Sequence, residues 1–367
     1  MRFDRRLFLH FDWTLLTLVA LILAIGLVNL YSAGFNFSRE TSLCLRQARW
    51  IAIGLIGMIV AFSIDYRAII RHAYVIYGVS VFLLLVVSFY GYTTHGSQRW
   101  INFLGFSFQP SELMKLVIIF TLAKYFDDHK VNRSYLLKDL MIPFGLVLLP
   151  FVLILRQPDL GTALMLLIIF MSMTLFVGIN WKSFSIAAAT GLILVPVAWY
   201  FLKDYQKERI MTFFSPERDP LGSGYHIIQS MIAIGSGGFF GKGFLKGTQT
   251  QLKFLPEQQT DFVFSVYAEE WGFFGALILI SLFLMLILWG LKIAFHSRDY
   301  LGTLVAFGIS MLVFWGVLIN IGMVLGILPV VGIPLPFMSY GGSAVLVLLT
   351  AMGFMLNISM RRYILHS

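Results

Sequence analysis

The chain has 367 residues, of which 59% are hydrophobic and 12% charged, with a mean hydropathy of +0.84. Soluble domains carry roughly 25% charged residues, so this composition indicates a polytopic membrane protein. The formal charge of +9 comes from lysines and arginines scattered singly between apolar segments, a pattern of membrane topology and not of a nucleic-acid-binding stripe, and the lone Cys44 excludes an intrachain disulfide or a cysteine-built metal site.

Arg2, Arg5 and Arg6 precede an apolar run over 13–31, which is too long for the core of a signal peptide and is followed by further spans, so it reads as a retained first helix. A bilayer crossing needs about 20 mostly apolar residues. Ten stretches qualify: 12–33, 47–64, 73–92, 109–126, 141–156, 160–177, 183–202, 263–291, 301–325 and 341–360. The expected fold is an all-α integral membrane protein of about ten transmembrane helices, a single domain over 1–367. Pro143 and Pro150 in the fifth span predict a kink or an end at a cavity.

Charges in the short loops set the orientation. With the amino terminus inside, thirteen basic residues fall on the cytoplasmic side (Arg2, Arg5, Arg6, Arg67, Arg71, Lys130, Arg133, Lys138, Lys182, Lys292, Arg298, Arg361, Arg362) and five opposite (Arg39, Arg46, Arg49, Arg99, Arg156). Both termini are therefore expected in the cytoplasm. The one long loop, 203–262 between the seventh and eighth spans, must then lie outside. Within it, YHIIQSMIAI over 225–234 is apolar but too short to cross, and glycines flank it, which predicts an interfacial or re-entrant helix. A comparable break falls at 328–336 (LPVVGIPLP).

The densest polar stretch runs over 235–275, where glycines, lysines, glutamines and acids interrupt an otherwise lipid-soluble chain. Such density beside hydrocarbon points to a working surface. Its focus is Asp261, where the polar run gives way to a long apolar helix. At about 100° per residue, Glu269 and Glu270 would lie roughly 80° and 180° around that helix from Asp261, too far for a carboxylate pair; a structural contact is expected for at least one. The glycines that flank 225–234 (Gly222, Gly224, Gly235, Gly237 and Gly238) would permit tight turns and close approach of substrate to backbone.

Glu112 and Lys115 share one helix face in SFQPSELMK, with Ser111 or Gln109 as candidate caps. Two readings are open: a self-neutralising ion pair, or a polar cavity wall in which Lys115 serves a phosphate or a carboxylate such as Asp261. Asp159 is equally a helix cap or a cavity residue. Arg99 and Trp100 are either an interfacial anchor or a ligand clamp. There is no GxxxxGK[ST] loop, HExxH, GxSxG or histidine cluster, and His95 and His226 are isolated; ATP hydrolysis and zinc chemistry are not expected.

These motifs carry a family resemblance over essentially the whole chain. RWINFLGFSFQPSELMK at 99–115, RQPDLGT at 156–162, Gln229 and Ser230 in HIIQSMIAIGSGG, GTQTQLKFLPEQQTDFVFSVYAEE, Asn320, Gly326, Pro329, Gly332 and the run FMSYGGS at 337–343 resemble the SEDS family of bacterial shape, elongation, division and sporulation proteins. Leu160 and the GTQTQLKFLPE run look most like its RodA branch. Gln259 stands where relatives often have histidine, which argues against an essential base there. The resemblance implies a peptidoglycan glycosyltransferase of the cytoplasmic membrane that polymerises lipid II on its outer face during elongation, with Asp261 matching the family's essential acid. It implies substrate-binding roles for Arg99, Glu112, Lys115, Asp159, Gln229 and Lys242, a divalent cation (magnesium or manganese) and no nucleotide. The implied partners are lipid II and nascent glycan, a class B penicillin-binding protein with transpeptidase activity, and other elongation-complex membrane proteins; nucleic acid is not among them. The rival reading is a lipid II flippase or transporter, since intramembrane charges and Gly/Pro-interrupted segments also mark carriers, although no inverted repeat is visible.

Overall fold

A computed structural model describes residues 11–35, 40–94, 97–103, 106–131, 134–201, 204–218, 222–252 and 254–362. Arg2, Arg5, Arg6, Arg39, His95, Arg133 and Lys203 fall outside them. In chain order the helices are α1 (Trp13–Gly34), α2 (Glu40–Ser63), α3 (Tyr66–Arg71), α4 (Ala73–Tyr90), α5 (Pro110–Asp128), α6 (Met141–Arg156) and α7 (Leu160–Val177). They continue as α8 (Trp181–Phe201), α9 (Asp204–Phe214), α10 (Ser223–Gly237), α11 (Thr248–Gln251), α12 (Val263–Phe295), α13 (Tyr300–Val324) and α14 (Gly342–Arg361). Each of the ten apolar stretches is a helix. Carboxylates set several starts: Asp12, Asp159 and Asp299 accept the amides of Leu15, Thr162 and Gly302 at 3.1, 3.3 and 2.9 Å, satisfying donors that the first turn leaves free.

Among the described residues seven helices are long and apolar enough to cross a membrane, and α4 and α8 supply shorter apolar runs. The tenth, α5, carries Glu112, Lys115, Lys124, Asp127 and Asp128. It tolerates them because most of its surface is buried against neighbouring helices and not lipid. The helices α2 and α14 pack closely, so that a Cβ on Gly353 would stand 2.4 Å from the Met58 carbonyl oxygen, the small-residue contact expected where lipid supplies no hydrophobic drive. α6 continues as helix through Pro150 to Arg156.

Two features depart from a plain helical bundle. Three short antiparallel strands, β1 (Tyr92–Thr94), β2 (Ser97–Phe103) and β3 (Phe106–Phe108), fill the α4–α5 connection, with Tyr92 opposite Trp100 and Ile101 opposite Phe108. β2 thereby carries Arg99 to the α6–α7 junction. The second departure is in α12, whose 33 residues would measure about 50 Å at 1.5 Å per residue, against about 30 Å of hydrocarbon. Gly272, at φ 66 and ψ −162, breaks it. The span proper is 273–295, about 34 Å long, and 263–271 is a separate short helix.

The region 203–262 is largely structured, through α9, α10 and α11. At one end of the bundle Arg67 pairs with Asp299 at 2.6 Å and Arg361 with Asp65 at 3.1 Å, while Asp12 accepts bonds from Trp289 and Ser359. α1 runs antiparallel to α12, so its other end, at Asn29, Ser32 and Ala33, meets Val263, Glu270 and Gln258. The polar stretch around Asp261 lies there.

Candidate functional site

Asp261 sits in a turn two residues before α12, not on the helix, so rotational offsets from Glu269 and Glu270 do not describe it. Its backbone is held from several elements. Asn320 of α13 donates to the carbonyls of Asp261 at 2.9 Å and Ile333 at 2.8 Å. Ser339 donates to Thr260 O at 2.6 Å, the Tyr340 amide to Gln259 O at 2.8 Å, and Asn29 to Val263 O at 2.9 Å. The FMSYGGS run and Asn320 thus act as a brace for the 259–263 turn. Gly332, at φ 72, lets the 328–336 loop come close; a Cβ there would stand 3.4 Å from Asp261 Oδ2.

None of the described hydrogen bonds reaches the Asp261 carboxylate. The residue is half-buried, and loss of water around the carboxylate, reinforced by Glu257 and Asp159, pushes its pKa up to about 6 against the pull of Arg209 and Arg99. Glu257 closes the turn from a left-handed conformation, φ 49, accepting the Thr260 and Phe262 amides. Of the two cations, Arg99 is engaged: it donates to the carbonyls of Gln157, at 3.0 Å, and Pro158, and lies 3.8 Å from Asp159. No ion pair among the described residues involves Arg209. Neither Arg209 nor Glu257 stands out in the sequence, because a charged residue on the polar helix α9 or in a loop is unremarkable until the fold brings it to Asp261.

Asp159 caps α7, and it also accepts from Gln109 at 3.1 Å and pairs with Arg99. Gln109 carries no cap bond to α5; it donates to Ser111 and Asp159, and its amide donates to Ser343 at 2.9 Å. This chain of bonds joins the strand region, α5, α7 and α14 beside Asp261.

Glu112 and Lys115 form a buried 2.8 Å ion pair. Both line a cavity with Leu312, Gly316 and the Ile333–Ser339 loop segment. Pair and cavity wall are therefore the same structure, lying beneath the loop that passes Asp261. Gln229 is half-buried on α10, and its neighbour Ser230 bonds Ser265 Oγ at 2.8 Å and Val324 O at 2.7 Å. Lys242 is committed elsewhere: its ammonium lies 2.7 Å from both Glu269 and Thr248. Glu270 accepts from Ser32.

Asn320→Ala tests the brace. It would leave two carbonyls without donors, at about 1–3 kcal/mol each where buried, so thermal unfolding should fall measurably and turnover should fall with it; an unchanged melting curve would show that the brace is dispensable.

Residues 12–364 match the cell cycle protein family FtsW/RodA/SpoVE. The chain is 40% identical over 357 residues to the peptidoglycan glycosyltransferase MrdB of Escherichia coli (strain K12), covering 97% of this chain and 95% of that protein. It is similar to a chain of a peptidoglycan synthase complex that coordinates polymerization and crosslinking, at TM-score 0.83 and 36% identity over 96% of this chain and 98% of that one. It is also similar to the rod shape determining protein RodA of Thermus thermophilus, at TM-score 0.72 and 30% identity, again over 96% and 98%.

Proposed function

The chain belongs to the FtsW/RodA/SpoVE family of cell cycle proteins and is a peptidoglycan glycosyltransferase, and we propose that it polymerises lipid II with Asp261 as general base. The observation that carries this reading is a carboxylate of raised pKa, free of hydrogen-bond partners among the described residues, on a backbone braced from three sides. A sugar hydroxyl is a weak nucleophile, and a positioned base typically contributes about 10²- to 10⁴-fold. Asp261 takes the proton of the acceptor hydroxyl as its oxygen attacks the donor's anomeric carbon. The new C–O bond forms as the bond to the undecaprenyl pyrophosphate breaks, and the configuration inverts.

Charge that builds on the leaving pyrophosphate needs cations. Arg209, in no ion pair among the described residues, and Arg99 both act electrostatically on Asp261 and suit this role; Lys115 serves it from beneath the loop. Asp159, Gln109 and Glu112 keep these groups in place, and Gln229 lines the approach. No group of three potential metal ligands occurs among the described residues. Magnesium commonly binds through one or two carboxylates plus substrate phosphates, and Asp261 with Glu257 fits that description only when substrate is present. A cation so held would neutralise pyrophosphate charge.

The reading places the site on the outer face of the cytoplasmic membrane, because Arg67, Arg71, Lys292, Arg298, Arg361 and Arg362 cluster at the opposite end of the bundle. A class B penicillin-binding protein is the partner proposed to crosslink the strands, with other elongation-complex membrane proteins alongside.

The pH profile tests the base. Asp261 must be ionised to accept a proton, so kcat/KM for labelled lipid II should drop about tenfold per unit below a pH of about 6. The stability sign is opposite: a carboxyl whose folded pKa is raised favours the folded state increasingly as pH falls from about 6, so unfolding linked to Asp261 does not imitate the loss. A profile flat to pH 5 would overturn the assignment.

A further inference from the structure

Glu269 is fully buried, at 0% exposure, yet it is the most heavily bonded side chain in the region. Its carboxylate accepts from Lys242 Nζ at 2.7 Å, Thr248 Oγ1 at 3.2 Å, Thr250 Oγ1 at 3.1 Å, and the amides of Gln249 and Thr250 at 2.9 and 3.3 Å. A buried carboxylate persists as an ion only when paired and hydrogen-bonded; here the 242–250 loop supplies every donor.

The same loop repairs the break in α12. At Gly272 the carbonyls of Glu269 and Glu270 lose their helical donors, and the amides of Lys242 and Gly243 replace them, each at 3.0 Å. In the other direction the amides of Phe273 and Phe274 donate to the carbonyls of Gly238 and Phe239 at 2.9 and 3.1 Å. The loop is stitched into the helix by backbone and locked there by the Lys242–Glu269 pair. The short helix 263–271 therefore has two fixed ends: Asn320 and Asn29 hold the one next to Asp261, and the stitch holds the other.

We infer that the Lys242–Glu269 pair is a positioning device for catalysis, which sets the short helix and hence the Asp261 carboxylate without touching substrate. The inference rests on the proposed role of Asp261. Displacements of about 1 Å at a catalytic group cost about 10²-fold in rate, so losing the pair should lower kcat and leave substrate affinity nearly intact.

The test uses the purified full chain with its penicillin-binding partner and labelled lipid II, comparing wild type, Lys242→Met, Glu269→Gln, the double variant, Lys242→Arg and Asp261→Asn. Each single loss should reduce kcat at least tenfold with KM within threefold. The double variant should be no worse than the worse single, since both remove one unit, and Lys242→Arg should stay within threefold of wild type. Lys242 is partly exposed, so Lys242→Met decides the matter should Glu269→Gln fail to fold. A Lys242→Met protein with wild-type kcat, or losses that multiply in the double variant, overturns the inference. Asp261→Asn separates the two readings: if it is inactive while Lys242→Met is normal, the positioning role alone fails; if it is active, the base itself is wrong.

Discussion

Asp261→Asn should lower lipid II polymerisation by about 10²- to 10⁴-fold, the usual contribution of a positioned base, while leaving expression and thermal unfolding close to wild type. Asparagine has nearly the same shape, and the bonds that hold this turn use the backbone: Asn320 to Asp261 O, Ser339 to Thr260 O and Asn29 to Val263 O all survive the change. The lost carboxylate forms no described hydrogen bond, so no donor is orphaned. What disappears is a negative charge beside Arg209 and Arg99, and with it the carboxylate assigned to accept the hydroxyl proton. Retention of rate within threefold would reject Asp261 as the base. The same variant separates the enzyme from a transporter: lipid II movement across liposomes at equal rate in wild type and variant, with polymer from neither, would favour the flippase.

The placement of the membrane helices was legible because hydropathy is a one-dimensional property, and the ten apolar stretches and the helices agree to within a few residues at most ends, with α2 beginning earlier than 47. Asp261 was legible for a related reason, since it stands at a boundary between polar and apolar sequence. What surrounds it was not. Glu269 and Lys242 are 27 positions apart, Arg99 and Gln157 are 58 apart, and no periodicity links such pairs. Gly272 stands two residues after Glu270 at the head of a long apolar run, and nothing in composition reveals its backbone conformation; only the excess length of the span hinted at a break. The glycines flanking 225–234 read as room for a substrate. At Gly237 that room is taken by the Ala268 carbonyl, and Gly241 and Gly272 approach one another in the same way, because the close contact is between loop backbone and helix backbone.

Gly272→Ala should be among the most disruptive single-methyl changes available, with most of the protein lost from the membrane or aggregated on extraction. Two costs coincide at this position. The residue holds φ 66 and ψ −162, a region open essentially to glycine alone and costing about 1–3 kcal/mol for other residues. A Cβ would also stand 2.2 Å from the Gly241 amide nitrogen and 2.7 Å from Phe239 O, and both neighbours are backbone, which cannot swing aside as a side chain can. Relief requires either withdrawing the loop, which strips donors from the Glu269 and Glu270 carbonyls, or straightening α12 into a helix about 50 Å long, which carries the polar 263–271 piece out of register with Asn29, Asn320 and Ser230. Gly235→Ala is the matched control, since a Cβ there meets nothing within 4 Å. Membrane yield and size-exclusion profile of the two variants side by side measure the difference, and equal yields would show that the break in α12 is not required for folding. A small folded fraction of Gly272→Ala should polymerise lipid II poorly per molecule, because the short helix that follows the Asp261 turn would have lost the anchor at its far end.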